Sequence, residues 1–495
     1  MFVAPENFAV KSVLGFFYGA MDVHLPSAPT TDLLDALLRW HHLYEPCYGV
    51  RNTRLHFVQT FGQSWLLGCR LGAVNKAWHE AVLLHRQQVT TFDCSSLATM
   101  LRPNGFGHES TSKRVEMAVQ DLIDHEWCPR LQNITISGCS GKTLTGLAHS
   151  VPLLESLNLS SDRTSTGGFA LLTAFARNCP NLREVCLGGG NPHSESPSLG
   201  DGIVGLAHCC PRIVTLELSS CPGDALTLTD SMIQRISILL PQLEWLGLAE
   251  LGHFGNAAFH PPASFPNLKH LTLVETGVSD GLFDQLHMPS LDSLHVQGTE
   301  ISGSRIRLAY LPSLTCLTLG EWSANVADTC AALAMLPKLQ DLDEVFFNGG
   351  GRAVAMALST CCKGLQTLCL GEDLCTAQHL QLLAPLQLKY LSLYAPMAEL
   401  SDPGLRVLAD TQKSLKRVAI NTAHGPSLTA TGIKDLVAGC PVLTCVILDR
   451  NPGHNLDDLE CAIAEAKPEF RRRIDEEMQR NPNYDGLGEP YVNIG

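Results

Sequence analysis

The sequence predicts an α/β solenoid: one layer of short parallel strands backed by helices, with a small helical domain at its N-terminal end. Three observations carry this. The first is a line that returns along the chain, seen best in PQLEWLGLAE, FPNLKHLTLVE, MPSLDSLHVQG and LPSLTCLTLGE. Each carries P-x-L-x-x-L-x-L, and the copies recur about every 23 to 25 residues. The second is the closing L-x-L, whose period of two makes one face of a short strand apolar. The third is a run of helical spacing before many copies, as in GIVGLAHCCP and GIKDLVAGCP, ended by Cys-Pro. A unit of this size cannot bury its apolar face alone, and stacking units side by side solves the problem.

The apolar triplets are Leu243, Leu246 and Leu248; Leu268, Leu271 and Leu273; Leu291, Leu294 and Val296; and Leu314, Leu317 and Leu319. Upstream copies centre on Ile134, Leu157, Val185 and Leu216, and downstream copies on Leu368, Leu391, Val418 and Val446. One copy is imperfect, since Leu339 and Leu342 are followed by Asp343 and Glu344. In all there are roughly thirteen repeats of about 23 to 31 residues.

Together these features resemble leucine-rich repeats over about three quarters of the chain. Three residues after the last strand leucine the family places a buried Asn or Cys, and here that slot holds Cys139, Cys221 and Asn451. Helices close with Cys128-Pro129, Cys179-Pro180, Cys210-Pro211 and Cys440-Pro441. This is similar to the cysteine-containing subtype common in F-box proteins. Other copies depart from it, with Thr276, Thr299 or Trp322 in the slot. The resemblance implies a leucine-rich-repeat solenoid, a right-handed α/β superhelix.

The chain then divides as follows. Residues 1–24 lack periodicity and are expected to be loosely ordered. Residues 25–90 form a helical domain. Residues 91–454 are the solenoid, 455–480 helices that cap it, and 481–495 a flexible tail rich in Gly, Pro and Asn. In the helical domain Leu33, Leu34, Leu37 and Leu38 make a stripe at helical spacing after Pro29. Further on, CRLGAVNKAWHEAV resembles the closing half of an F-box, through Val74, Lys76 and Trp78 preceded by Leu67 and Leu71. LPSAPTTDLLDALLRW is similar to its opening half. The two halves stand further apart here, by a loop of about ten to fifteen residues. VTTFDCSSL follows, placed as a first strand is in F-box proteins with such repeats. The resemblance implies a surface for a Skp-family adaptor on Pro29, Leu33, Leu34, Leu37, Leu67, Leu71, Val74, Lys76 and Trp78. Without it, the same segment reads as an amphipathic cap for the solenoid's first repeat.

Composition narrows the function. The net charge of −14 over 495 residues argues against a general nucleic-acid binder. Nineteen cysteines, an odd number placed mostly at repeat positions, read as reduced core residues. No apolar run reaches the length of a membrane span, and the start lacks a basic n-region. The expected location is the cytoplasm, with the nucleus as the other choice.

No chemistry announces itself. SGCSGKTLTG has the wrong spacing for a phosphate loop, with Ile136 where a glycine belongs. His41, His42 and Cys47 have no paired C-x-x-C partner and read as surface residues, not metal ligands. The chain is expected to need no cofactor and to catalyse nothing. A solenoid offers its concave face instead. Trp245, His270, His295, Tyr390 and Tyr394 project there as candidate anchors for a protein partner. Glu250, Glu275, Glu321 and Glu372 stand two residues past the final strand leucine and form a candidate acidic rim. The leading reading, through the F-box resemblance, is a substrate receptor of an SCF-type cullin ubiquitin ligase. The alternative is an interaction scaffold with no ligase role.

Overall fold

The computed structural model describes residues 90–93, parts of 115–123, most of 130–449 apart from short loop segments, 465–466 and 491–494. The chain divides into two compact units, Met1–Pro197 and Ser198–Gly495. The residues expected above to face an adaptor, Pro29 to Trp78, lie outside the described residues.

In the first unit four strands run parallel in chain order: β1 (Thr91–Asp93), β2 (Asn133–Thr135), β3 (Ser156–Leu159) and β4 (Glu184–Leu187). Phe92, Ile134, Leu157 and Val185 stand in one register row, so the apolar position of each repeat meets that of the next. The last three are completely buried. In the segment rejected above as a phosphate loop, Gly141–Ser150 forms a helix. Ser140 caps it, its hydroxyl accepting from the Thr143 amide at 3.3 Å. Glu116 accepts from the Ser140 hydroxyl and, at 2.8 Å, from that of Thr143. Those bonds, Ser140's first, hold the Glu116 carboxyl below its ordinary pKa.

The second unit repeats the scheme over a longer run. Its strands are β5 (Thr215–Ser219), β6 (Trp245–Ala249), β7 (His270–Val274), β8 (Ser293–Gln297), β9 (Cys316–Leu319), β10 (Glu321–Trp322), β11 (Asp341–Asp343), β12 (Phe346–Phe347), β13 (Thr367–Leu370), β14 (Tyr390–Tyr394), β15 (Arg417–Asn421), β16 (Cys445–Asp449) and β17 (Tyr491–Ile494). All but β10 and β12 lie in chain order in one sheet, parallel up to β16. β10 and β12 pair with each other, past the ends of β9 and β11 in the chain. β17 closes the run antiparallel to β16, from within the segment assigned to the tail. The imperfect copy at Leu339 and Leu342 forms β11 all the same, with both leucines buried.

The layer behind the strands changes character along this unit. Helices Leu199–Cys209 and Asp230–Leu239 precede β5 and β6. The next three connections instead hold short 3-10 helices, Asn256–Phe259, Asp280–Asp284 and Ile306–Leu308. The repeats from Leu271 to Leu294 and again to Leu317 are about 23 residues long, a length that from Ile134 to Leu157 and from Leu368 to Leu391 holds an α-helix. α-Helices return at Val326–Ala334, Gly351–Cys361, Ala377–Leu382, Asp402–Thr411 and Ala430–Gly439.

Helix ends are tied down by one buried side chain three residues before the first leucine of the repeat. Cys179, Cys210, Cys362 and Cys440 fill that place and are completely buried. Cys179 Sγ donates to the Val151 carbonyl at 3.4 Å, one repeat back. Where Cys is replaced by Gln412, its Nε2 donates to the Leu383 carbonyl at 3.0 Å and its Oε1 accepts from the Leu388 amide at 3.2 Å. These side chains are thus core groups. Burial pushes Cys210 and Cys362 up to about 12.

Candidate functional site: the open sheet face of the second unit

In β5, β7 and β8 the leucine positions turn into the core and the alternate positions turn out, giving the burial alternation of a sheet with one open face; in β6 the outward position Gly247 is buried as well. Register fixes which outward residues adjoin. Thr215, Trp245, His270 and Ser293 form one row; Glu217, Gly247, Thr272 and His295 form the next. The structure therefore brings Trp245 and His270 together. Their rings lie 4.6 Å apart, tilted by 37°. Trp245 keeps 37% of its surface exposed, large for an indole on a sheet. His295 is half-buried one strand past Thr272.

Gly247 is covered in this patch and is buried. A Cβ there would stand 3.2 Å from Glu217 Cγ and 3.7 Å from Trp245 Nε1, so both side chains lean over the backbone of that residue. Neither Glu217 nor Gly247 was singled out from the sequence. The signal was present, since Glu217 is the middle residue of Leu216-Glu217-Leu218 and the middle of L-x-L points outward.

A second aromatic focus lies on β14. Tyr390 and Tyr394 remain 44% and 41% exposed, and Tyr390 stands beside Arg417 of β15 in register. From β6 to β14 the sheet takes six steps. At about 4.8 Å per step the two foci are about 29 Å apart along the sheet.

The acidic rim resolves into parts. Glu250 and Glu275 occupy successive turns and both have left-handed backbone, φ 58° and 50°. Gly298, the same position in the next repeat, has φ 63°. The turn demands this conformation because the amide must reach the neighbouring strand: Glu250 N donates to Val274 O at 2.7 Å and Glu275 N to Gln297 O at 2.8 Å. Both glutamates are exposed. Glu321 departs from the row, since it opens β10 and pairs with Phe346. Glu372 lies outside the described residues. The rim thus reduces, among described residues in that turn, to Glu250 and Glu275.

Among the described residues no group of His, Cys, Asp and Glu could hold a metal ion, and no helix is long and apolar enough to cross a membrane. What the face presents is aromatic surface and carboxylates.

No protein-family model matches the chain, and no curated protein matches it. Several solved structures are similar in shape. The structure of Rad7 in complex with Elc1 from yeast aligns with TM-score 0.43 at 18% identity, over 74% of this chain and 96% of that one. A leucine-rich-repeat protein of Leptospira interrogans gives 0.40 at 16% identity, over 79% and 96%. A plant peptide hormone receptor, RGFR1 in complex with RGF2, gives 0.30 at 13%, over 64% and 66%.

Proposed function

We propose that the chain is a non-catalytic protein-binding molecule that holds a protein partner on the open sheet face of its second unit. One observation carries this reading: Trp245, Tyr390 and Tyr394 stay exposed on a sheet whose other face is fully buried. Large amphipathic rings of this kind anchor protein interfaces. The test compares partners co-purified with full-length protein, with the double variant Trp245→Ala and Tyr390→Ala, and with Ile238→Ala and Met335→Ala on the helical side. Loss of a defined partner only in the first variant supports the reading. Equal recovery in both overturns it.

Within that reading the chain is a substrate receptor of an SCF-type cullin ubiquitin ligase. The support is the resemblance of residues 25–90 to an F-box, carried by Val74, Lys76 and Trp78. Full-length protein mixed with a purified Skp-family adaptor should form a complex, and Trp78→Ala should remove it. Absence of a complex with folded wild-type protein would leave the scaffold reading, with partner binding and no ligase role.

A further inference from the structure

We propose that Glu217 and Trp245, brought together over Gly247, receive an arginine side chain of the protein partner. The proposal rests on the reading of the open face as the binding surface and names the chemistry recognised there.

Three features select a guanidinium. The first is shape. Gly247 has no side chain and is buried beneath the Glu217 stem and the Trp245 indole, which brings carboxylate and ring together over it, while His270 packs against that indole at 4.6 Å. A flat group can lie against the exposed part of the ring beside the carboxylate. The second is charge. Glu217 is the one carboxylate at the outward positions of β5 to β8, and no Lys or Arg stands at any of them. Glu217 has no ion pair or hydrogen bond with the described residues. Lys269, just before β7, is held by Glu244 at 2.8 Å. Glu250 and Glu275 at the turns beyond β6 and β7 add the same sign. The third is fit to chemistry. A guanidinium is planar, stacks on aromatic rings and gives a carboxylate two parallel N–H donors. An ammonium has the charge and lacks the plane, and an apolar side chain would leave Glu217 without a partner.

The experiment uses full-length protein with 15N-labelled tryptophan and three blocked tripeptides, Gly-Arg-Gly, Gly-citrulline-Gly and Gly-Lys-Gly. The Trp245 indole N–H signal is the one missing in Trp245→Phe. Titration with the arginine peptide into the tens of millimolar should shift that signal saturably. The citrulline peptide should leave it in place, and the lysine peptide should bind more weakly. Glu217→Gln, a surface change, should weaken the arginine peptide about fivefold. No shift, an equal shift with citrulline, or an unchanged titration in Glu217→Gln would overturn the proposal. If the peptide fails while Trp245→Ala with Tyr390→Ala still loses the partner, the face binds protein without an arginine. If both fail, the binding face itself is wrong.

Discussion

Glu275 and Gly298 occupy equivalent turns, yet one is a glutamate and the other a glycine. Left-handed backbone is unfavourable by about 1–2 kcal/mol for residues with a Cβ. Gly298→Ala meets that penalty and also places its Cβ 2.7 Å from Glu275 Cγ. It should destabilise this repeat by about 2 kcal/mol, read as faster amide exchange in β7 and β8. Glu275→Gly should act in the opposite sense, by up to about 1 kcal/mol. Thiol chemistry gives a contrast between adjacent residues. Cys209 is exposed, whereas Cys210 is buried with its thiol pushed up to about 12. Its thiolate is scarce at any pH well below that value. Alkylation of native protein at mildly alkaline pH, read by mass spectrometry, should modify Cys209 and leave Cys210 untouched until the protein unfolds.

At the scale of the element, the repeat is held by polar links between consecutive turns as well as by leucines. Asp280 accepts from the Ser302 amide at 3.1 Å, the Gly303 amide at 3.0 Å and the Ser304 hydroxyl at 2.9 Å. Asp280→Ala leaves those donors without their carboxylate and should lower the stability of the Ile306–Leu308 turn by about 2 kcal/mol, seen as raised exchange there. Thr276 is the opposite case. Its hydroxyl is buried without a hydrogen-bond partner among the described residues. Thr276→Val should therefore be neutral or stabilise by about 1 kcal/mol. Strands and register were legible in the sequence because L-x-L fixes both period and facing, even where Asp343 and Glu344 break the motif. The Cys-Pro helix ends were legible too, but Gln412 was not, since only the fold shows its amide doing the work of a cysteine. The 3-10 connections were not legible, since repeats of the same length elsewhere hold α-helices. β17 was illegible because its pairing with β16 is set by a contact far along the chain. On the open face, the aromatics could be read from their place in the motif. The junction of Glu217 and Trp245 could not, because it needs them brought together over Gly247 from two strands.

At the scale of the whole molecule, an open run of parallel strands has an end that must be covered. β16 would present free amides and carbonyls to another chain, and β17 pairs with it through Val446 to Asp449. Removal of residues 481–495 should raise the tendency to self-associate, measured by light scattering against concentration, with little change in the repeats before β15. The central claim is that the open face of the second unit is where a protein partner sits. Its most direct test is site-specific photo-crosslinking in cells, with benzoylphenylalanine at Trp245 or Tyr390 and, as controls, at Ile238 or Met335 on the helical side. The account predicts one shared set of crosslinked partners from Trp245 and Tyr390 that is missing from the controls. Crosslinks from the helical side alone, or the same set from all four positions, would contradict it.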